Sequence, residues 1–512
     1  DAIEALRKKL VAEVEQEAPD RRCVVRSFYS GNQYYLFRFK RIRDIRLVYA
    51  PPQSIGNFGG DVDNWMWPRH TGDFTFMRAY VSPEGEGVEF NDGNVPYRPK
   101  SWLKLSLDGL NEGDFTFVMG YPGTTFRNMT LAEFENDAKE MAEQMGLFQT
   151  VTNFLESASA DDRELNIRYA SITKGLNNYL KNMTGKLEGF QKVNLAGRKA
   201  EQEQQFKDWC AADESRAIYT DHLDKVAAHL KAISELNLRS MFAGFLVNGY
   251  AGPALLSQAH LLYRVAEEAG KPDMEREAGF QDRDLPGIRN RIQFKERSYA
   301  LDVDRAYMKF MLGEMLKRPA SQWPKAVAPV LQKGEAAIGP FVDKLYDGTT
   351  MADPEKRLSL VGKSVDELMA MHDPMLDLAA ELEVELKALR EEGRALGQEH
   401  QDLVAVVLKG MMEMKDGKLA PDANSTIRFT SGTVQGYQPR DGVWYLPFTT
   451  LKGVMEKETD IEPFIVPDKL KKLYEARDFG RYEDPKLHDV VTCFLNTTNV
   501  TGGNSGSPIL NA

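Results

Sequence analysis

Val490-Val491-Thr492-Cys493-Phe494-Leu495 reads as a strand, and Thr501-Gly502-Gly503-Asn504-Ser505-Gly506-Ser507-Pro508 follows it. β-Branched and aromatic residues favour the first run as a strand, and the glycines and proline of the second mark a loop. A serine hydroxyl is a weak nucleophile. It needs a base, and it needs a site for the oxyanion that forms when it attacks a carbonyl. Glycines on either side of a serine let the backbone turn until neighbouring N–H groups converge on one point. Here the donors would be the N–H groups of Gly503 and Ser505. A serine elbow of the G-x-S-x-G type demands a helix directly after the nucleophile, and nothing helical follows Ser505. Taken alone, the loop has a second reading as a glycine- and serine-rich surface turn.

Outward from that loop the β pattern extends back to about residue 424. Thr426-Ile427-Arg428-Phe429-Thr430 runs into Ser431-Gly432-Thr433-Val434, and Val443-Trp444-Tyr445-Leu446-Pro447-Phe448 is a further strand candidate. The same pattern fills residues 1 to 125 after an amphipathic helical opening, Ala2 to Glu17. Cys23–Tyr29 and Tyr34–Phe39 around Ser30-Gly31-Asn32 predict a hairpin, with further strands at Leu47–Ala50, Phe74–Val81 and Phe115–Gly123. Residues 126 to 423 are different. Met375, Leu378, Leu382, Leu386 and Leu389 recur at helical spacing between charged residues, and Pro/Gly punctuation at Ala251-Gly252-Pro253, Gly339-Pro340 and Asp373-Pro374 divides the zone into several helices. The order β, then α, then β predicts an α+β multi-domain chain: an N-terminal β lobe at 1–125, an inserted helical domain at 126–423 and a C-terminal β lobe at 424–512.

A second motif decides what the Ser505 loop belongs to. Asn57-Phe58-Gly59-Gly60-Asp61-Val62-Asp63-Asn64-Trp65-Met66-Trp67-Pro68-Arg69-His70-Thr71-Gly72-Asp73-Phe74 concentrates glycine, charge and two tryptophans around the first histidine of the chain. Asp73 stands just before a strand, a fitting place for a carboxylate that orients an imidazole; a capped turn with Trp65 and Trp67 in the core is the plain alternative. Together, the G-N-F-G-G-D-x-D-N-W-M-W-P-R-H-T-G-D-F run and T-G-G-N-S-G-S-P resemble the bacterial serine dipeptidyl-peptidase family that contains dipeptidyl-peptidases 7 and 11, of the chymotrypsin-like clan. The resemblance covers essentially the whole chain. It implies a chymotrypsin-like double β-barrel with the helical domain inserted between the barrels and covering the cleft. It implies Ser505 as nucleophile and Asp73 as the triad aspartate. Asn64 and Trp65 would hold the substrate's free N-terminus, with Arg69 assisting and Asn178, in Gly175-Leu176-Asn177-Asn178-Tyr179, offered by the helical domain. A protonated α-amine carries three donors and a charge, so acceptors fixed two residues from the scissile bond make such an enzyme release dipeptides.

The resemblance also sets expectations about what surrounds these residues. The family's catalytic histidine precedes the aspartate motif, yet residues 1–69 contain no histidine. His70 belongs to the motif as a loop-structuring residue, and the other six histidines are scattered without metal-ligand spacing. The expectation is therefore a sequence incomplete at both ends and inactive by itself, with the residue that sets the preceding-side-chain pocket lying beyond Ala512. Family members are exported in Gram-negative bacteria to the periplasm or cell surface and are usually homodimers acting on oligopeptides. No metal or cofactor is needed for acyl transfer by serine.

Bulk properties fit this and exclude other classes. The 512 residues exceed one compact core, with 42% hydrophobic and 28% charged residues typical of globular chains. A net charge of −11 and the absence of a Lys/Arg block argue against a nucleic-acid partner. No apolar run is long enough to span a membrane. Cys23, Cys210 and Cys493 form no metal-ligand or disulfide pattern. Two other functions stay open: a trypsin-like endopeptidase with a helical insertion, and a non-catalytic scaffold that binds peptides.

Overall fold

The computed structural model describes residues 2–17 and 20–511. The chain divides into two compact units, one made of 1–128 with 417–512 and the other of 129–416.

The first unit carries the strands, and it is mixed α/β. β1 (Arg21–Phe28) and β2 (Gln33–Lys40) form the hairpin expected from their aromatic, alternating sequence, in register from Arg21↔Lys40 to Phe28↔Gln33. Its turn takes three successive left-handed residues, Tyr29, Ser30 and Gly31. β3 (Asp44–Tyr49), β4 (Phe76–Val81) and β5 (Val95–Pro96) make a second antiparallel sheet. β6 (Phe115–Gly120) lies between β7 (Arg428–Thr433) on one edge and the strand that follows Ser505 on the other. β6 and β7 pair over six positions, Phe115↔Thr433 to Gly120↔Arg428, so strands from both sides of the helical stretch share one ladder. That pairing lets one unit be built from two distant pieces of chain.

One strand expectation is corrected. Val443–Phe448 is not a single strand: β8 (Tyr437–Arg440) pairs with β9 (Val443–Tyr445), while β10 (Phe448–Thr450) pairs with β11 (Val491–Phe494). Pro447 has no N–H to give a ladder, and the break falls there. Among the described residues, β12 (Ile509–Leu510) completes five sheets of two or three strands each.

The second unit is helical, and its helices begin where the sequence supplies caps. Thr130 and Glu133 form a reciprocal capping box at the start of Leu131–Ser159. Asp162 caps Arg163–Lys192, and Asp373 caps the 41-residue helix Pro374–Met414 with Pro374 at its first position. Gly339-Pro340 does not separate two helices, as the sequence suggested. It lies in the first turn of Ile338–Gly348, where proline costs no hydrogen bond. Met375, Leu378, Leu382 and Leu386 are buried along one face of the long helix, in one hydrophobic cluster with Leu255, Leu262, Met308 and Met311. Each such side chain removed from water contributes roughly 1.5–3 kcal/mol, and this core is the main support of the unit.

Candidate active site

The Ser505 loop is seated by glycines. A Cβ on Gly120, the last residue of β6, would overlap Asn504 Oδ1 and lie 2.7 Å from Ser507 Oγ. Gly123 N–H donates to Gly502 O at 2.7 Å, and a Cβ on Gly503 would come within 2.6 Å of both Gly123 N and Tyr121 O. Gly503 and Gly506 hold φ of 99° and 80°, the left-handed region that favours glycine. The run Gly120-Tyr121-Pro122-Gly123 therefore forms the bed on which the loop lies. Sequence reading took it only as a strand ending in a break.

Within the loop, Asn504 N–H donates to Thr501 O at 3.2 Å and Ser507 N–H to Asn504 O at 2.8 Å. Among the described residues the N–H groups of Gly503 and Ser505 donate to nothing, and Ser505 is exposed. An exposed hydroxyl flanked by two uncommitted N–H donors is an arrangement able to receive an oxyanion. After Pro508 the chain enters β12, with Ile509 paired to Val118, so one end of the loop is tied to β6 and the other to Gly123 just beyond it.

The motif of residues 57–74 packs against the segment that precedes Ser505. Trp67 Nε1 donates to Leu446 O at 3.2 Å, and Thr449 Oγ1 donates to Arg69 O at 2.6 Å. Cys493 Sγ lies 3.5 Å from Thr71 O, and burial raises that thiol's pKa. Phe58 is buried with Val454, Val466 and Phe464. Asn64 is half-buried, and Trp65 is 53% exposed with φ of 61°. Arg69 is half-buried, its Nη1 3.4 Å from Asp63 O. Asp73 is exposed in the extended segment leading to β4. β10 and β11 thus underlie the aspartate-bearing segment, and β11 leads on to the loop of Ser505.

This chain matches the family described as Peptidase S46 over residues 1–512. It belongs to that family. The S46 chain is 34% identical over 520 residues to the Asp/Glu-specific dipeptidyl-peptidase of Shewanella putrefaciens, covering 96% of itself and 70% of that protein. It is 35% identical over 510 residues to dipeptidyl-peptidase 7 of Phocaeicola vulgatus, covering 94% of itself and 67% of that protein. Among solved structures it is similar to Porphyromonas endodontalis DPP11 in complex with the dipeptide Arg-Glu, with a TM-score of 0.83 and 30% identity over 99% of this chain and 72% of that one. As a member of the S46 family the chain is a serine peptidase, a hydrolase.

Elsewhere in this S46 peptidase, Asn178 is exposed on the Arg163–Lys192 helix. Its neighbour Asn177 is turned to Glu156, with Nδ2 3.1 Å from Oε1. His70 is buried, and burial followed by the charge of Lys457 holds its pKa below the ordinary imidazole value. A Cβ on Gly453 would overlap its ring, so Gly453 exists there as the floor of a histidine pocket. Among the described residues no group of three or more His, Cys, Asp or Glu is placed to hold a metal ion. No helix of the described residues is long and apolar enough to cross a membrane.

Proposed function

We propose that this peptidase releases dipeptides from the free N-terminus of oligopeptides through an acyl-enzyme on Ser505. The observation that carries the reading is the Ser505 loop: an exposed hydroxyl between two uncommitted N–H groups, on a bed of glycines, in a chain of the S46 family. The relatives' names and the dipeptide-bound DPP11 structure support the dipeptide unit. Ser505 Oγ attacks the carbonyl carbon of the second residue, and the Gly503 and Ser505 N–H groups take the oxyanion. Each such donor is worth about 10²–10³ in rate. The dipeptidyl acyl group passes to Ser505, the remaining peptide leaves as an amine, and water hydrolyses the ester.

Asp73 orients the imidazole that accepts the Ser505 proton. None of the seven histidines is given that role. His70 is buried under Gly453, and His372 and His488 sit in turns with left-handed backbone. His222 and His229 bond backbone carbonyls, and His260 and His400 bond glutamates. Turnover is measured on the full-length protein. Asn64 and Trp65, assisted by Arg69, receive the substrate's ammonium group, and the family motif adds Asn178. The strands of the first unit are read as a chymotrypsin-like double β-barrel. The protein is read as an exported homodimer of the periplasm or cell surface.

A fluorophosphonate is expected to label the full-length protein at Ser505, located by peptide mapping. Ser505→Ala should lose the label and at least about 10³-fold in turnover while still binding peptide. A label at another residue, or turnover within tenfold of wild type, contradicts the assignment.

A further inference from the structure

Lys457 Nζ lies 2.8 Å from Asp63 Oδ2 and 2.8 Å from Pro68 O. These two acceptors flank Asn64, Trp65, Met66 and Trp67, so a single ammonium closes the loop at its base. Asp63 is only 6% exposed, and its backbone N–H returns to Gly59 O at 2.9 Å. A buried carboxylate of this kind is tolerated because a cation meets it.

The loop needs closing. Trp65 holds φ of 61°, a left-handed conformation that clashes with the side chain of any bulky residue. Such a conformation is costly and persists only where its surroundings over-determine it. Asp63 on one side and Pro68 on the other are the fixed points, and Lys457 holds both. Lys457 is itself well placed. The short helix Leu451–Glu456 ends just before it, Lys457 N–H donates to Gly453 O at 3.2 Å, and the helix begins with Lys452 N–H on Asp489 Oδ2 at 3.0 Å.

We propose that Lys457 is a positioning residue for the substrate's N-terminal ammonium. It acts through the Asp63–Pro68 loop to hold Asn64 and Trp65 in the geometry that receives the amine, without touching substrate itself. This rests on the dipeptidyl reading given above.

The test is made on the full-length protein. Lys457→Met is expected to raise KM for a free-amine peptide by about 10- to 100-fold, with kcat changed less than about threefold. The rate at which a fluorophosphonate, which carries no amine, labels Ser505 should stay within about threefold. Lys457→Arg keeps the charge and reaches the same acceptors, and it should recover most of the affinity. Lys457→Met leaves Asp63 buried without its cation, which can prevent folding. The double variant Asp63→Asn/Lys457→Met removes both charges, and the same rise in KM is expected from it. A KM within twofold of wild type in a folded variant overturns the proposal, as does labelling that falls in step with kcat/KM. If wild-type enzyme cleaves acetylated and free-amine peptides equally, the dipeptidyl reading falls and the proposal with it. An unchanged KM beside a discriminating wild type overturns Lys457 alone.

Discussion

Gly120 is a residue whose lack of a side chain leaves room for the Ser505 loop. A methyl group there would meet Asn504 and Ser507 at once, and both belong to the turn that carries Ser505. Gly120→Ala is expected to slow fluorophosphonate labelling of Ser505 by about 10- to 100-fold, because small displacements of a reacting group have costs of that order. Gly185→Ala is the control: it lies in the Arg163–Lys192 helix with open space around it, and should label at the wild-type rate. Labelling of Gly120→Ala at the wild-type rate would mean that the loop does not depend on its bed. Ser505, Asn64 and Trp65 could be singled out as candidates in the sequence because their motifs are local and compositionally odd. Gly120, Asp63 and Lys457 could not, because their roles arise from contacts between residues hundreds of positions apart. Pairing Asp63 with Lys457 needs the fold, and no local pattern announces it.

At the scale of elements, the long helix Pro374–Met414 was readable from its apolar spacing, and its buried face follows that spacing. What spacing could not reveal is Glu383, a charged residue buried on the same helix. Burial by itself raises its pKa, but hydrogen bonds from His260 and Arg390 and the charge of Arg264 pull the carboxyl down to about 2. A carboxyl whose pKa is depressed in the folded state contributes stability in full above its unfolded value near 4.3. That contribution is lost as pH falls through the folded value. Glu383→Gln is therefore expected to destabilise the helical unit by roughly 2–4 kcal/mol at pH 7. The difference from wild type should shrink as pH falls from about 4 toward 2, as followed by urea unfolding. A difference constant across that range would show that the carboxylate's charge contributes nothing. The β elements were less legible. Val443–Phe448 looked like one apolar strand, yet Pro447 splits it between two sheets. Partner choice in sheets is set by tertiary contacts that a single sequence does not display.

At the scale of the molecule, a unit assembled from both ends of the sequence requires the helical stretch to leave and return at one place. Asp422 marks it: its carboxylate accepts from Thr125 Oγ1 and Arg127 N, each at 2.7 Å, and Asn128 Nδ2 bonds Ala420 O at 2.9 Å. The β–α–β order was visible in the sequence because the hydrophobic period changes from two to three or four residues and back. The β6–β7 pairing that joins the two flanks was not visible, since it links positions about three hundred residues apart. The central claim is that Ser505 chemistry is directed two residues from a free amine, and product analysis by mass spectrometry tests it most directly. The full-length protein is given one hexapeptide with a free N-terminus and the same peptide acetylated. The account predicts an N-terminal dipeptide as first product from the free peptide, with cleavage of the acetylated one at least about 100-fold slower, as expected when a charged, hydrogen-bonded contact is lost. Equal rates for the two peptides, or internal cleavage as the first event, would contradict it.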